Sequence, residues 1–405
     1  MNVSSQALAL PAVDRRPLLA SLAAVLLGTL FLWSQVSGKQ ALIALVGVAM
    51  GVSLYHAAFG FTRGWRWFVA DRRGDGLRAQ MLILALGVLL FFPVLASGSF
   101  LGDPVKGLVS PVGLSVVLGA FLFGIGMQLG GGCASGTLFA VGGGSTRMIV
   151  TLLFFIVGSV LATANFDWWS KLPQFAPVSV IQLWGLLPAL LVNLAVFGLI
   201  AWGVTVAEKR HHGRLVASAR ETETPASLLR GPWPLVWGGV ALVLLNFATL
   251  ALAGRPWGIT SAFALWGAKS LVLTGVADPA AWSFWQVPTQ AKALAAPFWA
   301  DVTSVQDIGI VLGALAAACA AGKFAPVWQI PPRQLAASVL GGLLLGYGSR
   351  LAYGCNIGAY FSGILSGSLH GWLWLVCAFA GSAIGVHLRP LFGMQNEKVS
   401  DSRGC

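Results

Sequence analysis

The residues best placed to do chemistry in this 405-residue chain are two cysteines, each set in a glycine-rich break within a long apolar run. The first break reads Gly-Gly-Gly-Cys-Ala-Ser-Gly at 130–136 and carries Cys133; the second reads Tyr-Gly-Cys-Asn-Ile-Gly at 353–358 and carries Cys355. A neutral thiol is a weak S–H donor and a polarizable contact, able to hold a soft sulfur- or selenium-containing anion without the grip of a lysine or arginine. A thiolate of lowered pKa would instead be a nucleophile that carries sulfur as a persulfide. The residue types alone leave both chemistries open.

The breaks are copies of one another. Superposing Cys133 on Cys355 also superposes Gly124 on Gly346, Gly126 on Gly348, Leu129 on Leu351, Gly132 on Gly354, Gly136 on Gly358 and Phe139 on Phe361. With one extra residue in the second copy, Gly144-Ser145 falls on Gly367-Ser368 and Gly158-Ser159 on Gly381-Ser382. The chain therefore reads as two related halves. Around the cysteines, Gly132, Ser135 and Gly136, with Gly354, Asn356 and Gly358, are the candidate path residues. Ser135 and Asn356 fall in the first turn after each break, where helix capping is the usual role. Arg350, five residues before Cys355, offers a guanidinium either to an anion or to unwound carbonyls, with no second intramembrane cation to deepen the charge well. A weaker echo sets Gly51 and Gly60 against Gly258 and Gly267, so Gly60, Gly267 and the intramembrane His56 are additional candidates. Cys319 and Cys377 read as packing, and Cys405 as a tail residue.

The elements that position these breaks follow from composition. The chain is 57% hydrophobic and 9% charged, with a mean hydropathy of +0.80, which specifies an all-α polytopic membrane protein. The net charge of +12 is carried in short loops between apolar runs, where it reports orientation and argues against nucleic-acid binding. No CxxC or Cys/His cluster has metal-ligand spacing, and no P-loop is present, so neither metal, cofactor nor ATP-driven pumping is expected. The His211-His212 pair reads as solvated surface.

In order, the apolar runs are 17–36, 40–60, 79–97, 112–129, 147–164, 180–204, 233–253, 305–322, 335–352 and 370–388, the first being a retained span. Residues 259–275 are short, and 278–300 suit a re-entrant or interfacial segment. Residues 135–143 and 357–366 are half-helices, too short to cross about 30 Å of hydrocarbon. The basic loops at 62–78 and 206–230 place that side in the cytoplasm, with both termini, and 165–178 outside. This divides the chain into a first repeat with an extra N-terminal span (1–205), a linker (206–230), a second repeat (231–392) and a polar tail (393–405). The helix leading to Cys133 then runs inward and that leading to Cys355 outward, which makes the repeats inverted. Irregular backbone survives in a bilayer only where protein or a water-lined path covers it. Each half-helix turns its free N–H groups and positive dipole end toward the break before it, an end that favours anions.

The run Gly-x-Gly-x-Arg-Leu-Ala-Tyr-Gly-Cys-Asn-Ile-Gly-Ala-Tyr-Phe-Ser-Gly at 346–363 resembles the hallmark of the YeeE/YedE family of bacterial inner-membrane proteins, and 124–137 resembles the same hallmark. The resemblance implies an importer of thiosulfate or related sulfur or selenium species, an hourglass of pseudo-symmetric halves, and cysteines along a central path. It also implies a small soluble sulfur-carrier protein as a partner, besides membrane lipid. One departure stands out: the thiosulfate importers have a further cysteine near the equivalent of Phe59-Gly60-Phe61-Thr62, and residues 40–78 here contain none. His56 is the candidate replacement donor. The function expected is thus a channel-like permease relaying a small sulfur anion between thiols; the alternative is a membrane-bound sulfurtransferase working through a persulfide.

Overall fold

Every N–H and C=O in hydrocarbon must bond within the protein, so a chain of this composition resolves into helices. The structure, a computed structural model, describes residues 12–216 and 228–398; Cys405 and the middle of the 206–230 linker lie outside them. Among the described residues the strands are two-residue pairings, 99–100 with 103–104 and 112–113 with 174–175. The first half runs α1 (Arg15–Gln35), α2 (Gly38–Ala57), α3 (Phe61–Asp71), α4 (Asp75–Ser97), α5 (Leu114–Gly130), α6 (Ala134–Gly142), α7 (Thr146–Ala164), the short α8 (Phe166–Ser170) and α9 (Val180–Trp184), and α10 (Leu186–His212). The second runs α11 (Leu235–Ala253), α12 (Thr260–Thr274), the short α13 (Ser283–Gln286) and α14 (Pro288–Ala295), α15 (Val302–Ala320) and α16 (Pro332–Leu351). A π turn at Asn356–Phe361 continues into α17 (Ser362–Leu365), and α18 (Leu369–Leu388) follows. Among the described residues, ten helical stretches are long and apolar enough to cross a membrane; two of them, Leu114–Gly142 and Pro332–Leu365, contain the cysteine breaks.

Local chemistry sets the boundaries. Ser37 accepts the Gln40 N–H at the start of α2, and Asp301 accepts the Ser304 N–H at 2.7 Å at the start of α15. Gly131, at φ +93°, ends α5 in the left-handed conformation that only glycine adopts freely.

The interior is assembled by backbone-to-backbone contact, and corresponding positions of the two halves make corresponding contacts. A Cβ added at Gly124 of α5 would lie 2.1 Å from the Ala378 carbonyl oxygen of α18, and one at Gly381 of α18 would lie 2.0 Å from the Phe121 oxygen of α5. The equivalent pair recurs between α16 and α7: Gly346 against the Phe155 oxygen at 2.2 Å, Gly158 against the Leu343 oxygen at 2.4 Å. Close approach of this kind replaces the hydrophobic driving force that lipid withholds from helix association.

Two segments differ from expectation, and a third gains detail. The loop at 62–78 is largely helical: α3 buries Phe61, Gly64 and Trp65 along one face, and its Arg66 and Trp67 side chains donate to Glu397 at 3.2 and 2.5 Å, tying down the start of the tail. The 180–204 run is interrupted at Gly185 and then extends to His212, because the buried carboxylate of Glu208 is ion-paired with Arg78 and accepts the Val216 N–H. The 278–300 segment is a set of short helices, as its Pro and small residues suggest, and the Lys269 ammonium donates to the Leu294 and Ala296 carbonyls.

Gly346→Val should lower the stability of the detergent-solubilised protein by about 1–3 kcal/mol, because Phe155 backbone blocks the added methyl groups. Gly198→Val, at a helical glycine with nothing within 4 Å of its Cβ position, should change it by no more than about 0.5 kcal/mol. Thermal melting of the two variants checks this; equal shifts would contradict the packing account.

Candidate functional site

Unwinding a helix frees carbonyls, and at each break two of them are bonded by side chains of the long helix beyond the half-helix. At the first break, Arg147 donates through Nη2 to the Leu129 oxygen at 2.8 Å and Thr151 donates to the Gly130 oxygen at 3.1 Å. At the second, His370 Nε2 lies 2.9 Å from the Ala352 oxygen and Trp374 Nε1 donates to the Gly354 oxygen at 3.2 Å. In the repeat alignment, which adds one residue to the second copy, 147 pairs with 370 and 151 with 374. Four different side chains thus perform one task at two equivalent pairs of positions. Arg147, read from sequence alone as a boundary residue, is part of this support.

Each cysteine occupies the N-cap position of the helix that follows it. Cys133 precedes α6, and its sulfur lies 3.4 Å from the Ser135 hydroxyl. Cys355 precedes the π turn, and its sulfur accepts the Ile357 N–H at 3.4 Å. The capping role expected of Ser135 and Asn356 is therefore not theirs: Ser135 faces the sulfur, and Asn356 is fully buried with neither end of its amide hydrogen-bonded. The turn is π because the Cys355 carbonyl accepts from both Ala359 at 2.8 Å and Tyr360 at 3.3 Å, an irregularity common at functional sites. The α6 helix and the π turn pack against each other, and both cysteines belong to one buried cluster.

The glycines divide by what surrounds them. At Gly354, with φ +154°, a Cβ would lie 2.8 Å from the Ala359 nitrogen, and at Gly132 it would crowd Met148 and the backbone of 136–137. These two are needed for the turn itself. At Gly136 the nearest atom to an added Cβ is the Cys133 sulfur at 3.5 Å, and at Gly358 it is Gly258 Cα at 3.9 Å. Packing therefore does not demand glycine at the helix starts beside the sulfurs, and small size there keeps room for something else. Gly267 instead lets α12 lie against Val160 of α7, while a Cβ at Gly60 would meet only the Ala58 oxygen, at 3.9 Å.

The second break is ringed with polar groups. Asn246 accepts the Trp257 N–H at 2.8 Å and donates to Ser362 at 3.1 Å, pinning the 254–258 loop to α17. Arg350 donates through Nη2 to Thr260 at 2.7 Å, and its Nε is without a partner. Arg255 donates to Thr303 at 2.9 Å, and Ser261 donates to the same hydroxyl at 3.2 Å. Trp257 Nε1 and His370 Nδ1 are also buried without partners. Arg255 is thus a second half-buried guanidinium near this break, missed in the sequence because Gly-Arg-Pro-Trp-Gly reads as a turn between apolar runs.

His56 is not brought to the cysteines. Its ring packs on Trp233 at 5.4 Å and against Gly231, beside a cavity of about 190 Å³ that Phe139 of α6, Arg230 and Lys323 also line. The Phe59–Thr62 stretch does reach the site: Gln128 donates to the Thr62 carbonyl at 3.1 Å, and the Phe61 ring lies 5.6 Å from Tyr360 of the π turn. Neither sulfur has a histidine or carboxylate as hydrogen-bond partner among the described residues. The one group there with a metal-ligand arrangement is Asp71 with His211 and His212, where α3 and α10 end, rather than at the breaks. The four cysteines among the described residues are free thiols.

The chain is similar in sequence to known transporters. A thiosulfate transporter, TsuA, of Spirochaeta thermophila is 29% identical over 340 residues, covering 81% of this chain and 92% of its own length. The TsuA of Escherichia coli is 22% identical over 85% of this chain and 94% of its own. The probable transporter YedE of Escherichia coli is 28% identical over 42% of each chain. A family profile described as sulphur transport matches residues 56–384, which contain both cysteine breaks and the helices that support them, and the chain belongs to that family.

Proposed function

We propose that the protein is a permease that imports thiosulfate or a closely related sulfur anion, passing it between Cys133 and Cys355 by reversible hydrogen bonding. The observation that carries this reading is the packing of α6 against the π turn, each opened by a cysteine at its N-cap and each with a following glycine whose Cβ position is unobstructed. Thiosulfate is drawn from the relatives' names. A soft terminal sulfur matches the thiols, and oxyanion oxygens match backbone N–H groups at Gly136 and Gly358, the Asn356 amide and Arg350. Gly132 and Gly354 shape the turns and Ser135 orients the Cys133 thiol. Binding is shallow because thiols replace ammonium groups at the narrowest point, and shallow binding permits release.

We place the protein in the bacterial inner membrane with the linker and both termini cytoplasmic and the halves inverted. The cavity beside His56, Arg230 and Lys323 is then the inner vestibule, where a small sulfur-carrier protein would receive the anion. The 165–178 loop faces outside.

Reconstituted into proteoliposomes, Cys133→Ala and Cys355→Ala should each reduce thiosulfate uptake to background with little change in melting temperature, while Cys319→Ala, Cys377→Ala and Cys405→Ala transport normally. Equal damage from the second group would contradict the assignment. Cys133→Ser and Cys355→Ser should keep on the order of a tenth of the rate, since a hydroxyl still donates. Complete loss in the serine variants, with a reductant-labile mass increase on either cysteine required for turnover, would replace the permease by a persulfide sulfurtransferase. Impermeant labelling of cysteines introduced at 207 and 171 should modify only the first from the cytoplasmic side and only the second from outside; the reverse would overturn the inverted arrangement.

A further inference from the structure

The transport reading leaves one buried group unused. Asp307 lies in the first half of α15, inside a stretch otherwise apolar enough to cross a membrane, and is fully buried. Neither carboxyl oxygen has a hydrogen-bond partner, and none of the ion pairs among the described residues includes it. A carboxylate sealed in this way has nothing to offset its lost hydration, whereas a carboxylic acid does not need an ionic partner.

Its surroundings tie it to the second break. Thr303, one helical turn earlier on the same face, accepts from both Arg255 and Ser261. Arg255 reaches Gly258, whose Cα faces Gly358 of the π turn, and Arg350 bonds to the neighbouring Thr260. The charges acting on Asp307 are Arg255 and Asp301 at the head of its own helix, and the Cys355 thiol shares the field. The other packed elements face it with nothing titratable at this level. The ionisable groups of α2 are at its ends, Lys39, Tyr55 and His56; α6 offers only Cys133 at its start; α1 carries Arg15 and Arg16 at its head; and the Lys269 ammonium of α12 is committed to the 294 and 296 carbonyls.

We propose that Asp307 is a proton-carrying group that couples anion import to inward proton movement, one proton per anion, with Arg255 as the cation shared between the carboxylate and the anion. This rests on the transport reading above. When Asp307 is ionised, its charge and that of Arg255 cancel, and an anion arriving at the π turn meets no net attraction. A proton taken from the outer side neutralises the carboxylate, frees the Arg255 charge for the anion, and leaves the cell-side vestibule with it when Asp307 ionises again. In the structure Arg255 is bonded to Thr303 and the Asp307 carboxyl is unbonded, the arrangement that a neutral acid would take. The coupling has a physical purpose: an inside-negative potential opposes a dianion by on the order of a thousandfold per 100 mV, and a co-transported proton removes part of that barrier.

The test is thiosulfate accumulation in proteoliposomes with the membrane potential clamped and an inward proton gradient imposed. For the wild type, each pH unit of gradient should raise the accumulation ratio about tenfold, and thiosulfate addition should acidify a trapped pH dye. Asp307→Asn, which resembles the protonated acid, should retain thiosulfate counterflow but lose both responses, and Asp307→Glu should keep them. Wild-type uptake that ignores the gradient, an asparagine variant that still responds, a glutamate variant that does not, or an asparagine variant without counterflow would overturn the proposal. Wild-type vesicles that take up no thiosulfate under any condition would overturn the transport reading itself, and the coupling with it.

Discussion

The structure depends on one constraint: peptide groups freed by unwinding a helix inside an apolar bundle must be hydrogen-bonded, since each unpaired group costs several kcal/mol. The two breaks meet it with side chains from the long helix beyond each half-helix, Arg147 and Thr151 of α7 in one half, His370 and Trp374 of α18 in the other. Those side chains are themselves placed by the packing of α7 on α16 and of α18 on α5. The starts of α6 and of the π turn therefore have a defined position against one another, which is what a site made of weak donors requires. A guanidinium, a hydroxyl, an imidazole and an indole serve the same end, so the geometry of the repeat is preserved where residue identity is not.

Packing and function make opposite demands on glycine here. At Gly124, Gly158, Gly346 and Gly381 a side chain would strike the backbone of the facing helix, and the bundle closes around these contacts. At Gly136 and Gly358 nothing but a sulfur or a distant Cα is near. Cysteine in the N-cap position belongs to the same logic. Serine, threonine, asparagine or aspartate there would tie up the first N–H groups of the helix strongly; the Cys355 sulfur holds the Ile357 N–H only at the long distance of 3.4 Å, and the Cys133 side chain makes no capping hydrogen bond. The helix starts keep donors available to an anion.

Much of this was legible in the sequence. Cysteine spacing, the glycine register and the length of apolar runs gave both breaks, both half-helices and most spans to within a few residues, because backbone satisfaction in lipid leaves few alternatives. What was not legible depends on tertiary approach. Arg255 and Asp307 are far apart in sequence and unremarkable singly, and only the packing of the 254–258 loop on α15 brings them together. Arg147 and His370 look like a boundary residue and a helix histidine until the carbonyls they serve are seen. His56 has the right chemistry and the right hydrophobic setting, yet α2 carries it to Trp233, away from the cysteines. The helix α3 was hidden because five arginines in seventeen residues read as a loop, although its Phe and Trp residues recur at helical spacing.

The central claim is that the anion sits between the two cysteine-capped helix starts. An experimental structure of the protein with thiosulfate bound tests it most directly. The account predicts tetrahedral density in contact with Cys133 or Cys355, within hydrogen-bond distance of the N–H groups at Gly136 or Gly358 and unconnected to either sulfur. Thiosulfate density confined to the vestibule beside His56 and Lys323, or a covalent bond from a cysteine to a transferred sulfur, would contradict it.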